Sequence, residues 1–283
     1  MIRTIKRWSQ LVRCGRRPAT APPLQRTPGF YHDFLGVRTR IGYTPLPAWG
    51  EGHAFGMPEP GKPFLYTREE WLGLLSAVEE ASDTMVAVEL GAGWGPWLVA
   101  AHVAARQRGI HDIHLIGVEA CKEHADWMRQ HFIDNDIEPD RHNLIYGAIG
   151  PQDGTAWFPM IDPLTNWGQS AHFYPGSDML TLTCVSLPTL LQKQQRVDFV
   201  HCDIQGSESE VLPAAIDTLN AKVRRIVIAT HAPGHDANML ALFHAHGWRL
   251  EVKEDWMVPE RDGTQVWSNP RVPAAVRGGA SAV

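Results

Sequence analysis

The sequence predicts an α/β domain built on a mostly parallel sheet with helices on both faces. Three observations predict it. From residue 83 onward, short apolar runs alternate with helical segments. The runs are apolar almost throughout, as strands covered on both faces must be, and strand–helix alternation makes such a sheet parallel. A glycine-rich turn, "GAGWG", follows the first run, at the place where these sheets bind ligands.

The elements follow in order. Thr67 is placed to cap a helix over 67–81, with Glu70 at the reciprocal capping position and Trp71, Leu74, Leu75 and Val78 on one face. "MVAVEL" (85–90) reads as the first strand of the alternation. "PWLVAAHVAARQRG" (96–109) reads as a helix with Pro at its first position and Gly past its end. "IHLIGVE" (113–119), "NLIYGAIG" (143–150), "VDFVHCDI" (197–204) and "VRRIVIATH" (223–231) read as strands. "CKEHADWMRQHFIDN" (121–135), "SESEVLPAAIDTLN" (207–220) and "HDANMLALFHAHG" (235–247) read as helices. "WRLEVKE" and "GTQVWS" are expected to close the sheet as an antiparallel pair.

Four stretches organise the 283 residues. Residues 1–29 are a basic arm and a proline-rich linker. The arm, residues 1–17, carries Arg3, Lys6, Arg7, Arg13, Arg16 and Arg17, with Ile2, Ile5, Trp8, Leu11 and Val12 between them. It reads either as a poorly ordered terminus or as a weak peripheral contact with the inner membrane face. Residues 30–82 are an N-terminal extension, an aromatic loop and a helix, expected to cap the acceptor side. Residues 83–270 are the main domain, with an insertion at 151–196, and 271–283 are a tail. The net charge of −5 argues against a nucleic-acid partner. Cys14, Cys121, Cys184 and Cys202 lack the spacing of a zinc site or a disulfide framework, which suits a reducing cytoplasm. No apolar run is long enough to span a bilayer.

The glycine turn raises the question of ligand. A phosphate-binding loop needs a Lys-Ser/Thr pair after its last glycine, and Pro96-Trp97 stand there. A dinucleotide fold prefers G-x-G-x-x-G, but here the third glycine comes one residue early and Glu89 lies at the strand end. A carboxylate repels a pyrophosphate and suits the cationic methionine end of S-adenosylmethionine. Glu119, ending the next strand in "GVEA", is placed to accept hydrogen bonds from both ribose hydroxyls.

"VAVELGAGWGPW", "GVEA" and "VDFVHCDIQGSESEVL" together resemble the FkbM family of S-adenosylmethionine-dependent methyltransferases, over roughly residues 85–270. The resemblance implies a Rossmann-like class I methyltransferase fold. It implies cofactor contacts from Glu89, Gly91, Ala92, Gly93, Glu119, Ala120, Ala148 and Asp203. The chain departs from the family pattern at His201, where Lys is usual, and at Gln205, where Glu is usual.

Beyond the cofactor, Asp203 and His201 share one face of a strand end, and His231 ends the next strand. Methyl transfer to a hydroxyl needs a base, and histidine suits that task near neutral pH. His231 is the first choice and His201 the second, with Asp203 beside them. The site is expected to work without a metal; if a divalent ion is present, Asp203 and His231 are its ligands. The insertion is too long for an idle connection, and Trp167, His172 and Tyr174 in it suit a sugar. The expected function is O-methylation of a hydroxyl on a sugar, glycan or related natural product, in the cytoplasm. The rival readings are an NAD(P)-linked oxidoreductase and a catalytically degenerate cofactor-binding scaffold.

Overall fold

The structure, a computed structural model, describes residues 27–43, 67–254 and 263–275. The basic arm, most of the linker, Trp49, His53, Phe55, Phe64 and Tyr66, and most of the tail lie outside the described residues.

The chain begins with a small hairpin, β1 (Phe30–His32) and β2 (Arg38–Arg40). Helix α1 (Arg68–Glu80) follows, then β3 (Thr84–Leu90), α2 (Pro96–Gln107), β4 (Asp112–Glu119), α3 (Lys122–Asp134) and β5 (Asn143–Tyr146). Next come β6 (Ala148–Gly150), β7 (Gly154–Pro159), β8 (Met179–Ser186) and the one-turn α4 (Leu187–Leu190). The last stretch holds β9 (Phe199–Cys202), α5 (Glu208–Ala214), α6 (Ile216–Lys222), β10 (Arg225–Thr230), α7 (Pro233–Ala245), β11 (Arg249–Glu254) and β12 (Gly263–Ser268).

Seven strands form the main sheet in the order β11-β12-β10-β9-β3-β4-β5. The five from β10 to β5 run parallel, while β12 is antiparallel to both β10 and β11. The chain leaves β3 toward β4 and β5, then returns to β9 on the other side of β3. That reversal opens a crevice outside the carboxyl ends of β3 and β9.

Each central strand feeds two cores. Met85 and Ala87 of β3 and Phe199 of β9 pack with α1, α2 and α3 through Trp71, Leu74, Trp97, Leu98 and Phe132. Val86, Val88 and Leu90 pack the other way, with Val200, Val211, Leu212, Leu219 and Phe243. Side chains alternate faces along a strand, so an apolar residue at every position serves both layers. The same parity places Glu89 and His201 on the α1–α2 side.

Three segments differ from the sequence expectation. The expected strand 143–150 breaks at Gly147. β5 joins the main sheet, and β6 pairs with β8 in a separate three-stranded sheet, β6-β8-β7. A Cβ on Gly147 would meet the Thr183 carbonyl at 2.8 Å, so the crossing between sheets needs a glycine. The expected helix 207–220 is two helices that meet at Ala215, with Pro213 inside the first. The extension after residue 30 holds the β1–β2 hairpin rather than loop alone. It docks on α3 through a two-pronged Arg40–Asp134 pair at 2.6 and 2.8 Å.

The hairpin turn carries a pH dependence. Asp33 is buried and its Oδ1 accepts the amides of Leu35 and Val37 at 2.8 and 3.0 Å. Burial pushes its carboxyl up to about 7, against the pull of the Val37, Leu35 and Gly36 amides. A folded pKa above the unfolded one gives stability that is full below the unfolded value and is lost as pH rises through the folded value. Wild type is therefore expected to lose stability between about pH 4 and 7. Asp33→Asn should flatten that slope in urea unfolding. Parallel profiles for the two proteins would overturn the assignment.

Candidate active site

The glycine turn is built from below. Gly91, Gly93 and Gly95 all have positive φ, at 71°, 53° and 70°. A Cβ on Gly91 would stand 1.8 Å from the Asp203 carbonyl oxygen, so this residue must be glycine for β3 and β9 to meet. Gly91→Ala is expected to destabilise by at least about 1–3 kcal/mol, the usual cost of overpacking, with the left-handed backbone adding to it. Thermal unfolding measures this, and an unchanged melting temperature would refute the close approach. Gly91 and Ala92 donate their amides to the Val118 carbonyl at 3.0 Å each, which pins the turn across the end of β4.

Two buried carboxylates support the turn. Glu89 accepts the amides of Trp97 and Leu98 at 3.4 and 3.1 Å, so the strand's own acid caps α2, which has no side-chain cap at Gly95. Burial drives its carboxyl well above the ordinary range, the two amides pull it back, and Asp203 and Glu119 push it further up. Glu119 accepts the Gly93 amide on Oε2 and the Cys121 amide on Oε1, each at 2.7 Å. Burial raises it too, opposed by those amides.

On the far side of the crevice, Asp203 follows β9 and His231 follows β10. Asp203 donates its amide to the Leu90 carbonyl at 3.0 Å. His231 Nε2 lies 3.1 Å from Asp203 Oδ1, and its Nδ1 lies 3.7 Å from Glu208 Oε1. The imidazole thus lies between two carboxylates, paired with Asp203 and farther from Glu208. Gln205 donates its side-chain N–H to the same Asp203 oxygen at 2.7 Å, from a left-handed backbone with φ of 57°. Burial pushes Asp203 up, but the His231 hydrogen bond and the charges of His231 and His201, with Gln205, hold it below the ordinary value. Glu208 is fully buried and accepts the Ile204 and Gly206 amides at 2.8 Å each. Asp203, Glu208 and His231 each offer a ligand atom within 4.8 Å of the others, a donor set that suits a divalent cation.

His201 sits deeper. Its Nε2 pairs with Glu70 Oε1 at 3.0 Å, and its ring tilts over Trp97 at 5.1 Å. Glu70 uses its other oxygen to accept the Thr67 amide, so one carboxylate closes the capping box of α1 and anchors β9.

The insertion crosses the strand ends. Trp167 stacks flat on His124, with centroids 4.0 Å apart and planes 4° apart. It meets Trp94 edge-on at 5.0 Å and Trp127 at 5.9 Å, and Tyr43 of the extension stacks on Trp127. His124 is hydrogen-bonded to the Pro163 carbonyl at 2.8 Å, and Ser207 donates to the Ala171 carbonyl at 3.3 Å. His172 lies on the surface, bridged through its backbone to Trp157, and Tyr174 is 77% exposed. Ala148 packs with Ala156 and Cys184 inside the small sheet, and Ala120 packs against Cys121, Phe158 and Leu182.

The sequence model of the methyltransferase FkbM domain matches residues 85–250. The chain belongs to the FkbM methyltransferase family. A protein of Jannaschia sp. (strain CCS1), whose name proposes a methyltransferase, is 32% identical over 238 residues, 80% of this chain and 84% of that one. Among solved structures, the methyltransferase FkbM from Methylobacillus flagellatus KT is 13% identical with a TM-score of 0.47. That likeness covers 66% of this chain but only 44% of the other. An O-methyltransferase from Bacillus cereus, solved in complex with SAH, is 12% identical with a TM-score of 0.44, covering 74% and 84%.

The main sheet of this FkbM chain is the Rossmann-like class I methyltransferase sheet that its sequence implied. The structure brings Glu89, Gly91, Gly93, Glu119, Asp203 and His231 to one crevice. It sets His201 beneath the crevice and leaves His172 and Tyr174 toward solvent. Sequence reasoning missed Glu208, Glu70 and His124. Glu208 stood in the quoted block "GSESEVL", where the spacing to Gly206 was the available signal. Nothing local linked Glu70 to His201, 131 residues away.

Proposed function

We propose that this FkbM methyltransferase moves the methyl group of S-adenosylmethionine to a hydroxyl of a sugar, glycan or related natural product. The observation that carries the reading is the Asp203–His231 pair, across the crevice from the glycine turn and Glu119. The turn's backbone receives the methionine end above Glu89, Glu119 takes the ribose hydroxyls, and Ala120 and Ala148 border the nucleoside. Asp203 stands near the cofactor's amino group. The acceptor oxygen attacks the methyl carbon in line, the carbon–sulfur bond breaks, and S-adenosylhomocysteine leaves. His231 takes the hydroxyl proton on Nδ1, while Asp203 at Nε2 orients the ring and stabilises the imidazolium.

The test pairs calorimetry on S-adenosylhomocysteine and NAD with a labelled methyl-transfer assay on cell-envelope glycans and on small metabolites. Binding of S-adenosylhomocysteine and label in the glycan fraction is expected. Binding of NAD alone would make the protein an oxidoreductase, and cofactor binding without transfer to any acceptor would make it a scaffold. A second reading rests on the Asp203, Glu208 and His231 donor set. Turnover lost in EDTA and restored by Mg²⁺ or Mn²⁺ would assign that cluster to a cation that lowers the acceptor's pKa.

A further inference from the structure

We infer that the segment 160–172 is a strap that gates the nucleoside half of the cofactor site, with the Trp167 indole as the gating group. The inference rests on the proposed cofactor seat between Gly93 and Glu119. A Cβ built on Gly93 would meet a single atom within 4 Å, Trp167 Cζ3 at 3.8 Å. The Gly93 amide is bonded to Glu119. The indole therefore lies over the residue that links the glycine turn to the ribose-binding acid.

The surface under that indole is suited to a different flat ring. The His124 imidazole is parallel to Trp167, and Trp94 and Trp127 close the sides. An imidazole face framed by indoles is one on which a purine stacks well. The buried Trp94 indole N–H makes no hydrogen bond among the described residues, which leaves a donor for a polar ligand edge. Indole and nucleoside compete for one place.

The strap is built to move. One side-chain hydrogen bond ties it to α3, His124 to the Pro163 carbonyl, one ties it to the loop after β9, Ser207 to the Ala171 carbonyl, and a backbone pair between His172 and Trp157 closes its end on β7. Its inner bonds are local: Asp162 receives the amides of Leu164, Thr165 and Asn166. A segment held by few long-range bonds opens at lower cost than the sheet beneath it. Both its ends meet at β7, where Pro159 leads into it and His172 pairs with Trp157, so it is a loop hinged at one place, and lifting it uncovers the cofactor seat.

A site shut nine-tenths of the time binds its ligand about tenfold more weakly than the open site does. Trp167→Ala in the full chain is therefore expected to lower the dissociation constant for S-adenosylhomocysteine by about tenfold and to speed association. Trp167→Phe should fall between that variant and wild type. Hydrogen exchange gives a second readout that needs no variant. S-adenosylhomocysteine should increase exchange at the amides of 160–172 while protecting 91–98. No binding by wild type overturns the cofactor reading and the gate with it. Binding by wild type with unchanged or weaker affinity in Trp167→Ala, or ligand protection of 160–172, overturns the gate alone and makes Trp167 a fixed wall.

Discussion

His231→Ala is expected to cut methyl transfer by about 10²–10⁴-fold, the usual range for losing a general base, with S-adenosylhomocysteine affinity nearly unchanged. The geometry explains both halves. His231 follows β10, on the far side of Asp203 from the glycine turn, so its removal leaves Gly91, Gly93 and Glu119 in place. Its loss also strips Asp203 of the partner that holds its carboxyl low. His201→Ala is the comparison. That ring is buried against Trp97 and paired with Glu70, so its loss should lower thermal stability more than turnover. A slow His201 variant beside a normal His231 variant would exchange the two roles.

Glu119→Ala is expected to weaken cofactor binding by about 2–4 kcal/mol, the cost of two charge-assisted hydrogen bonds to the ribose. The fold should persist, because Glu119 lies at the end of β4 and not in its core. Its loss also frees the Gly93 and Cys121 amides, so the glycine turn becomes less ordered and the effect falls on binding a second time. Calorimetry on the folded variant decides. Unchanged affinity for S-adenosylhomocysteine would remove Glu119 from the ribose site, and a collapsed melting temperature would make it a structural acid.

The alternation of strands and helices was legible because the rule behind it is local. Met85 and Val86 are adjacent and must each find an apolar layer, which only a doubly covered sheet supplies. The capping box at Thr67 and Glu70 and the proline starting α2 were legible for the same reason, since both ends of each device lie within a few residues. The break at Gly147 was not, because the obstacle is the Thr183 carbonyl, from a strand 36 residues later in the chain.

The sequence by itself determined the family, the sheet, the glycine turn and the acids at the strand ends. Each depends on residue type and on spacing along a short stretch. Only the tertiary structure decided which partners those acids meet. Glu89 was read as facing the cofactor's charge, and folding turns its oxygens to the first amides of α2. His231 was preferred to His201 on residue type and strand-end position alone until β9 and β10 were placed side by side. Glu70 then took one histidine, and Asp203 and Glu208 the other. Trp167 was read as an acceptor wall, and the path of the strap set it on His124 over Gly93. A side chain's chemistry is carried by its residue, but its partner is chosen by distance in space. Distances between residues a hundred positions apart exist only once the sheet has brought them together.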